Sequence, residues 1–200
     1  MKNINTIIFD LGAVILNINY RNTIDQFKKL GLKNPNSFYS KASQNNLFNQ
    51  IEVGEISSNE FLLELQKKMP DASLKKIKNA WNSMLMDLPE NRINLLKKLK
   101  LHYSIFLLSN TNNLHISKFK KILGHDKYHE FYNLFNKVYY SNKIGFRKPH
   151  AEAFQLVLDE NKLTSNKTLF IDDSSQHTEG AKKLGINIYH LKDNEEVTTL

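Results

Sequence analysis

Asp10 and the pair Asp172-Asp173 each fall where a strongly apolar run gives way to polar residues: Asp10 follows Thr6-Ile7-Ile8-Phe9, and the pair follows Thr168-Leu169-Phe170-Ile171. Carboxylates gathered in one place repel one another unless a cation neutralises them, and ligation by oxygen alone selects a hard ion such as Mg²⁺. Lys148, in Gly145-Phe146-Arg147-Lys148-Pro149, would bring a fixed positive charge able to stabilise a phosphoryl group or its transition state. A third apolar run, Ser104-Ile105-Phe106-Leu107-Leu108, ends in Ser109-Asn110-Thr111, which offers a hydroxyl and backbone N–H donors for phosphate oxygens. Taken singly, each is an ordinary residue, since a strand-terminal aspartate is more often a turn or cap residue than a nucleophile.

These groups can act together only if three strand ends share one edge. Continuous apolar runs are what parallel strands covered on both faces require, and ligands of open α/β sheets bind beyond the carboxyl ends of such strands. Shorter strands are expected at Lys137–Tyr140 and Ile186–Leu191. Helices are expected at Pro89–Leu101, at Asn112–Leu123 closed by Gly124, at His150–Glu160, and at Gln176–Leu184 closed by Gly185. After residue 88 helix and strand therefore alternate, which argues for a doubly wound, Rossmann-like α/β core with a parallel sheet.

Residues 17–87 break that rhythm. Ile24, Phe27 and Leu30 share a face before Gly31; Ser57-x-x-Glu60 forms a capping box ahead of Phe61, Leu62 and Leu65; Ser73 precedes Leu74, Ile77, Trp81, Met84 and Leu85. The expected division is a core of residues 1–16 and 88–200 with an all-helical insertion at 17–87, hinged near Asn17 and Asn19. Lying directly after the first strand, the insertion is placed to serve as a lid. Trp81 and the phenylalanines at helical spacing read as core, and Phe48 to Gly54 as a segment whose Glu52 could point into the cleft and touch substrate.

Composition narrows the chemistry. The 200 residues, 40% hydrophobic and 24% charged, suffice for a folded core. With no cysteine, disulfides, thiolate metal sites and cysteine nucleophiles are excluded, and a reducing cytoplasm fits. The segment Ile7–Leu16 is interrupted by Asp10 and too short to span a bilayer, so no membrane or export address is read there. Against 20 Asp and Glu, 28 Lys and Arg leave +8, but only three are arginine and the lysines are scattered in ones and twos, which argues against nucleic acid as a partner. Ser109 lacks the Gly-x-Ser-x-Gly elbow of a triad serine. His102, His115, His125, His129 and His150 read as surface or capping residues.

In combination, Phe9-Asp10-Leu11-Gly12-Ala13-Val14, Leu108-Ser109-Asn110-Thr111, Arg147-Lys148-Pro149 and Phe170-Ile171-Asp172-Asp173 with Glu179-Gly180-Ala181 downstream resemble the four ordered motifs of the haloacid dehalogenase-like (HAD) hydrolase superfamily. The helical insertion looks like the C1 cap of its subfamily IA. Asp-Leu-Gly-x-Val, Ser-Asn-Thr-Asn and Gly54-Glu55-Ile56-Ser57 are most similar to the branch of bacterial α-glucose-1-phosphate phosphatases, related to the phosphatase domain of soluble epoxide hydrolase. The resemblance implies an aspartyl-phosphate on Asp10, Mg²⁺ held by Asp10, the Gly12 carbonyl, Asp173 and Asp172, and phosphoryl oxygens held by Ser109, Asn110 and Lys148. It implies a small phosphorylated metabolite as the partner, and a monomer or homodimer.

One departure is chemical. HAD phosphatases usually read Asp-x-Asp, the second aspartate protonating the leaving group; here that position is Gly12. General acid–base help is worth about 10²–10⁴-fold, so a sugar 1-phosphate, whose anomeric leaving group is less basic, becomes an attractive substrate. A metal-free 2-haloacid dehalogenase also lacks that aspartate, and a catalytically weak binding or regulatory module would tolerate its loss. Keeping both Asp172 and Asp173 favours the phosphatase. His177 stands where the motif commonly has asparagine.

Overall fold

The structure, a computed structural model, describes residues 3–38 and 46–199. Five strands, β1 (Thr6–Phe9), β2 (Ser104–Ser109), β3 (Lys137–Tyr140), β4 (Thr168–Asp172) and β5 (Asn187–His190), form one sheet in the order β3-β2-β1-β4-β5. Every pairing is parallel, as the continuous apolar runs require. Period-two alternation sends Ile7 and Phe9 to one face with Ile105, Leu107, Leu169 and Ile171, and Ile8 to the other with Phe106, Leu108 and Phe170. Phe9 lies opposite Leu107 in β2 and Ile171 in β4, so the three central strands end level. That register delivers Asp10, Ser109 and Asp172 to one edge.

The helices are α1 (Tyr20–Lys29), α2 (Pro35–Phe38), α3 (Asn46–Val53), α4 (Ser58–Lys68), α5 (Leu74–Asn82), α6 (Glu90–Leu99), α7 (Asn113–Leu123), α8 (His125–Tyr132), α9 (Ser141–Ile144), α10 (Ala151–Glu160) and α11 (Ser175–Lys182). Helix α8 departs from simple alternation. Gly124, at φ +77°, ends α7 and starts α8 at once, so a residue that reads as a stop is also a restart. Burial drives the second helix: Tyr128 and Phe131 pack edge-on against Phe119, with ring centroids 5.8 and 5.4 Å apart. Pro89, expected inside α6, caps it from outside, as His150 does α10.

Among the described residues, every regular element from 20 to 82 is a helix, with 39–45 of the expected insertion outside the described residues. Asn19 and Ser73 cap α1 and α5, and the capping box at α4 closes in both directions, Glu60 N–H to Ser57 Oγ at 3.2 Å and Ser57 N–H to Glu60 Oε2 at 2.8 Å. Phe27, Phe48, Phe61 and Trp81 join the same apolar cluster as Phe9 and Leu107 on one face of the sheet. Two chain crossings link the helices to the sheet side by side: Asn17 N–H donates to Asp87 O, Met86 N–H to Asn17 O, and Asn19 N–H to Met84 O, at 2.9–3.0 Å. Asn17 and Asn19 thus sit on a paired double crossing, with Asn17 Nδ2 donating to Asp87 Oδ1 at 3.0 Å. Among the described residues no helix is long and apolar enough to cross a membrane.

Gly180 in α11 faces Pro149, and a Cβ there would collide with the Pro149 carbonyl oxygen and lie 3.0 Å from its Cβ. Alanine normally favours a helix interior over glycine by about 1 kcal/mol, whereas forced overpacking costs about 1–3 kcal/mol. Gly180→Ala is therefore expected to lower the midpoint of denaturant unfolding; a raised midpoint would show that helix propensity outweighs the contact.

Candidate active site

Beyond the carboxyl ends of β1, β2 and β4 lies a cavity of about 340 Å³ whose walls include Asp10, Asp173, Ser109, Glu52, Arg147 and His115. One oxygen from each of Asp10, Asp172 and Asp173 can be chosen so that all lie within 4.8 Å of one another. The fully buried Lys148 reaches them from below, its Nζ 2.7 Å from Asp10 Oδ1 and 2.7 Å from Asp172 Oδ2. Asp172 also accepts from Ser174 N–H at 2.8 Å and lies 3.0 Å from His177 Nδ1. Burial alone would raise Asp172, but the Lys148 charge and the hydrogen bonds of His177 and Lys148 outweigh it and bring it down to about 2. Asp10 goes the other way: burial, helped by the negative charges of Asp172 and Asp173, pushes it up to about 6 against the pull of Lys148.

Three carboxylates against one ammonium leave two negative charges in a mostly buried cluster. An all-oxygen donor set with that surplus fits a hard divalent cation, and the residues present suit such an ion. Gly12 lies at the same edge, packed under Ile18: a Cβ at position 12 would be 2.6 Å from Ile18 Cδ1.

The other expected site residues occupy distinct positions. Ser109 is buried at the end of β2 and lines the cavity. The Asn110 side chain clamps the backbone of Lys148, its Oδ1 accepting from Lys148 N–H and its Nδ2 donating to Lys148 O, both at 2.9 Å. Glu52, in α3, does reach the cavity wall, where its Oε2 accepts from Arg147 Nε at 2.9 Å and lies 2.8 Å from Arg147 Nη2. The Glu52–Arg147 pair thereby ties α3 to the residue beside Lys148.

The sequence profile of the haloacid dehalogenase-like hydrolases matches residues 7–190. The chain belongs to that family. This HAD hydrolase is 27% identical over 194 residues to a D-ribitol-5-phosphate phosphatase of Bacteroides thetaiotaomicron, covering 96% of this chain and 94% of the relative. A HAD family enzyme from the same organism, solved with magnesium and inorganic phosphate, superposes with a TM-score of 0.85 at 35% identity and 96% coverage of each chain. A HAD-like hydrolase structure from Porphyromonas gingivalis gives 0.83 at 26% identity, covering 96% of this chain and 93% of that one.

The sequence assigns no site role to three residues at this cavity. Arg147 is hidden beside the more conspicuous Lys148. His177, in sequence only a departure from the usual asparagine, has its Nδ1 against Asp172. His115 corrects a surface-or-cap expectation: it lines the cavity, its ring stacked on Trp81 at 4.5 Å and 19°, and its Nε2 3.3 Å from the Trp81 carbonyl. Trp81 is correspondingly both core and cavity wall. Burial pushes the His115 imidazole down to about 4 from 6.5, outweighing its hydrogen bond to Trp81.

Two predictions follow from these environments. Lys148→Met leaves two carboxylates without their ammonium, and loss of one member of a buried ion pair costs about 3–5 kcal/mol; urea denaturation in EDTA should register it, and an unchanged midpoint would contradict the buried-pair picture. For His115, the unfolded chain takes up a proton near pH 6.5 and the folded one only near 4, so this group makes stability fall as pH drops through that window. Unfolding midpoints of His115→Gln should therefore decline less from pH 6.5 to 4 than those of the unsubstituted protein, while parallel profiles would refute the buried neutral imidazole.

Proposed function

We propose that this HAD hydrolase is a Mg²⁺-dependent phosphatase of small phosphomonoesters, working through an aspartyl-phosphate on Asp10. The observation that carries the reading is the Asp10–Lys148–Asp172 ion-pair chain with Asp173 beside it at the cavity floor. Asp10, the Gly12 carbonyl and Asp173 would hold Mg²⁺, with Asp172 completing the site directly or through water. Bound there, the ion would offset the negative charge that a phosphoryl group brings to the cluster and polarise a phosphoryl oxygen.

Asp10 attacks phosphorus: its carboxylate oxygen forms the new bond as the bond to the substrate's ester oxygen breaks. Water then attacks the aspartyl-phosphate, and the bond to Asp10 breaks to release inorganic phosphate. Lys148 and Ser109 hold phosphoryl oxygens. Asn110 contributes through its backbone, and its side chain sets the position of Lys148 by clamping that residue's main chain. Gly12 has no side chain to protonate the departing oxygen, so the proton comes from water or the leaving group must be weakly basic.

Residues 17–87 act as a cap over the core of residues 1–16 and 88–200, and Glu52 joins the two by its bond to Arg147 rather than by a charge of its own offered to substrate. The D-ribitol-5-phosphate phosphatase relative and the polar cavity support sugar or polyol monophosphates as the substrate class, hexose 1-phosphates among them. The cysteine-free composition supports a cytoplasmic enzyme, acting as a monomer or homodimer.

The test is phosphate release from D-ribitol 5-phosphate, hexose phosphates and nucleotides, with Mg²⁺ and with EDTA. Release that EDTA abolishes is expected; none from any substrate in Mg²⁺ would overturn the reading. Asp10→Asn should lower turnover by at least about 10³-fold with the fold intact, on the scale of losing a catalytic nucleophile, and an active variant would remove Asp10 from its role. Chloride release from 2-chloropropionate unaffected by EDTA would assign the chain to dehalogenation instead.

A further inference from the structure

We propose that His115 is a specificity-determining residue, a fixed hydrogen-bond acceptor for a hydroxyl of the phosphorylated substrate, held in place by Trp81 of the cap. The inference rests on the phosphatase reading and extends it to the part of the substrate that is not phosphate.

The chemistry of the Trp81 contact decides the tautomer. A backbone carbonyl can only accept, so the 3.3 Å approach of His115 Nε2 to the Trp81 oxygen requires the ring proton to be on Nε2. In a neutral imidazole the other nitrogen, Nδ1, then carries a bare lone pair. Among the described residues the only hydrogen bond of the His115 ring is the one its Nε2 donates to the Trp81 carbonyl, so Nδ1 has no protein donor. The ring borders the same cavity as Asp10 and Ser109. Stacking on the indole at 4.5 Å and 19° fixes its plane, and the indole is itself wedged against Phe48 and Phe61 at 5.4 and 5.2 Å. Burial keeps the imidazole unprotonated at neutral pH, so it accepts and does not donate from Nδ1.

The rest of the wall narrows what this acceptor can meet. Glu52 and Arg147 neutralise each other, and Lys148 lies between two aspartates. A neutral acceptor in such a wall suits the O–H of a polyhydroxylated leaving group; among the described residues Arg147 is already paired with Glu52, so a carboxylate or second phosphate facing that lone pair would have to compete for it. His115 belongs to α7 of the core and Trp81 to α5 of the cap. The acceptor's tautomer and orientation are therefore set where α5 and α7 pack together, Trp81 against His115.

The full-length protein with Mg²⁺ tests this through the ratio of kcat/KM for D-ribitol 5-phosphate to that for n-pentyl phosphate, which has the same carbon count and no hydroxyls. His115→Phe keeps an aromatic ring for the stack and removes the acceptor. The expected result is a fall of about tenfold in that ratio, the scale of one hydrogen bond of about 1.4 kcal/mol, carried mainly by KM for ribitol phosphate. His115→Gln, whose amide oxygen can accept, should recover part of it. An equal loss on both substrates leaves the ratio unchanged and overturns the proposal, as does an unsubstituted enzyme with no preference between them. An unsubstituted enzyme that releases phosphate from neither of these, nor from any hexose phosphate or nucleotide, overturns the phosphatase reading itself, whereas one that turns over only those others overturns the proposal alone, which separates the two failures.

Discussion

The structure turns on one ammonium group. Lys148 Nζ lies 2.7 Å from a carboxylate at the end of each of two neighbouring strands, β1 and β4, in a place with no exposure to solvent. Burying either aspartate without it would cost several kcal/mol, of order 3–5, so the loop that carries Lys148 must be held as firmly as the strands. It is held from three directions: Asn110 clamps its backbone from the end of β2, Glu52 grips the preceding Arg147 from α3, and Gly180 lets α11 come against the following Pro149. Phe170 beneath adds its ring face at 5.3 Å from Nζ.

The same electrostatics divides labour between two aspartates that look alike in sequence. Asp172 is wrapped by Lys148, His177 and the Ser174 N–H and is held strongly ionised, whereas Asp10 has fewer partners and sits near 6. A neighbouring divalent cation would remove that difference by favouring the charged form of Asp10. Around this charged floor Glu52 and Arg147 pair with each other and His115 is neutral. Gly12 belongs to the same economy of space: Ile18, on the paired crossing between helices and sheet, occupies the volume a side chain at position 12 would need.

Much of this was legible in the residues. The apolar runs at 6–9, 104–108 and 168–171 each became a strand of the parallel sheet, because a strand buried on both faces has no polar alternation to obscure it. Caps were equally readable where the signal is local, as at Ser57-Glu60 and Ser73. Helix α8 was not, because Gly124 reads as an end and the aromatic contacts that restart the helix come from Phe119 and Phe131 across a turn.

By itself the sequence determined the strand ends, the oxygen-only chemistry and the family, since these depend on residue types in order along the chain. Tertiary structure decided which groups are partners. Asn110 with Lys148 is 38 residues apart, His115 with Trp81 34, and Glu52 with Arg147 95, and no periodicity reaches across such gaps. Histidine shows the limit most clearly: as a residue type it fits surface, cap or site, and only burial against Trp81 makes His115 a neutral, oriented wall of the cavity. Its protonation and direction are properties of the surroundings, which exist only once the chain has folded.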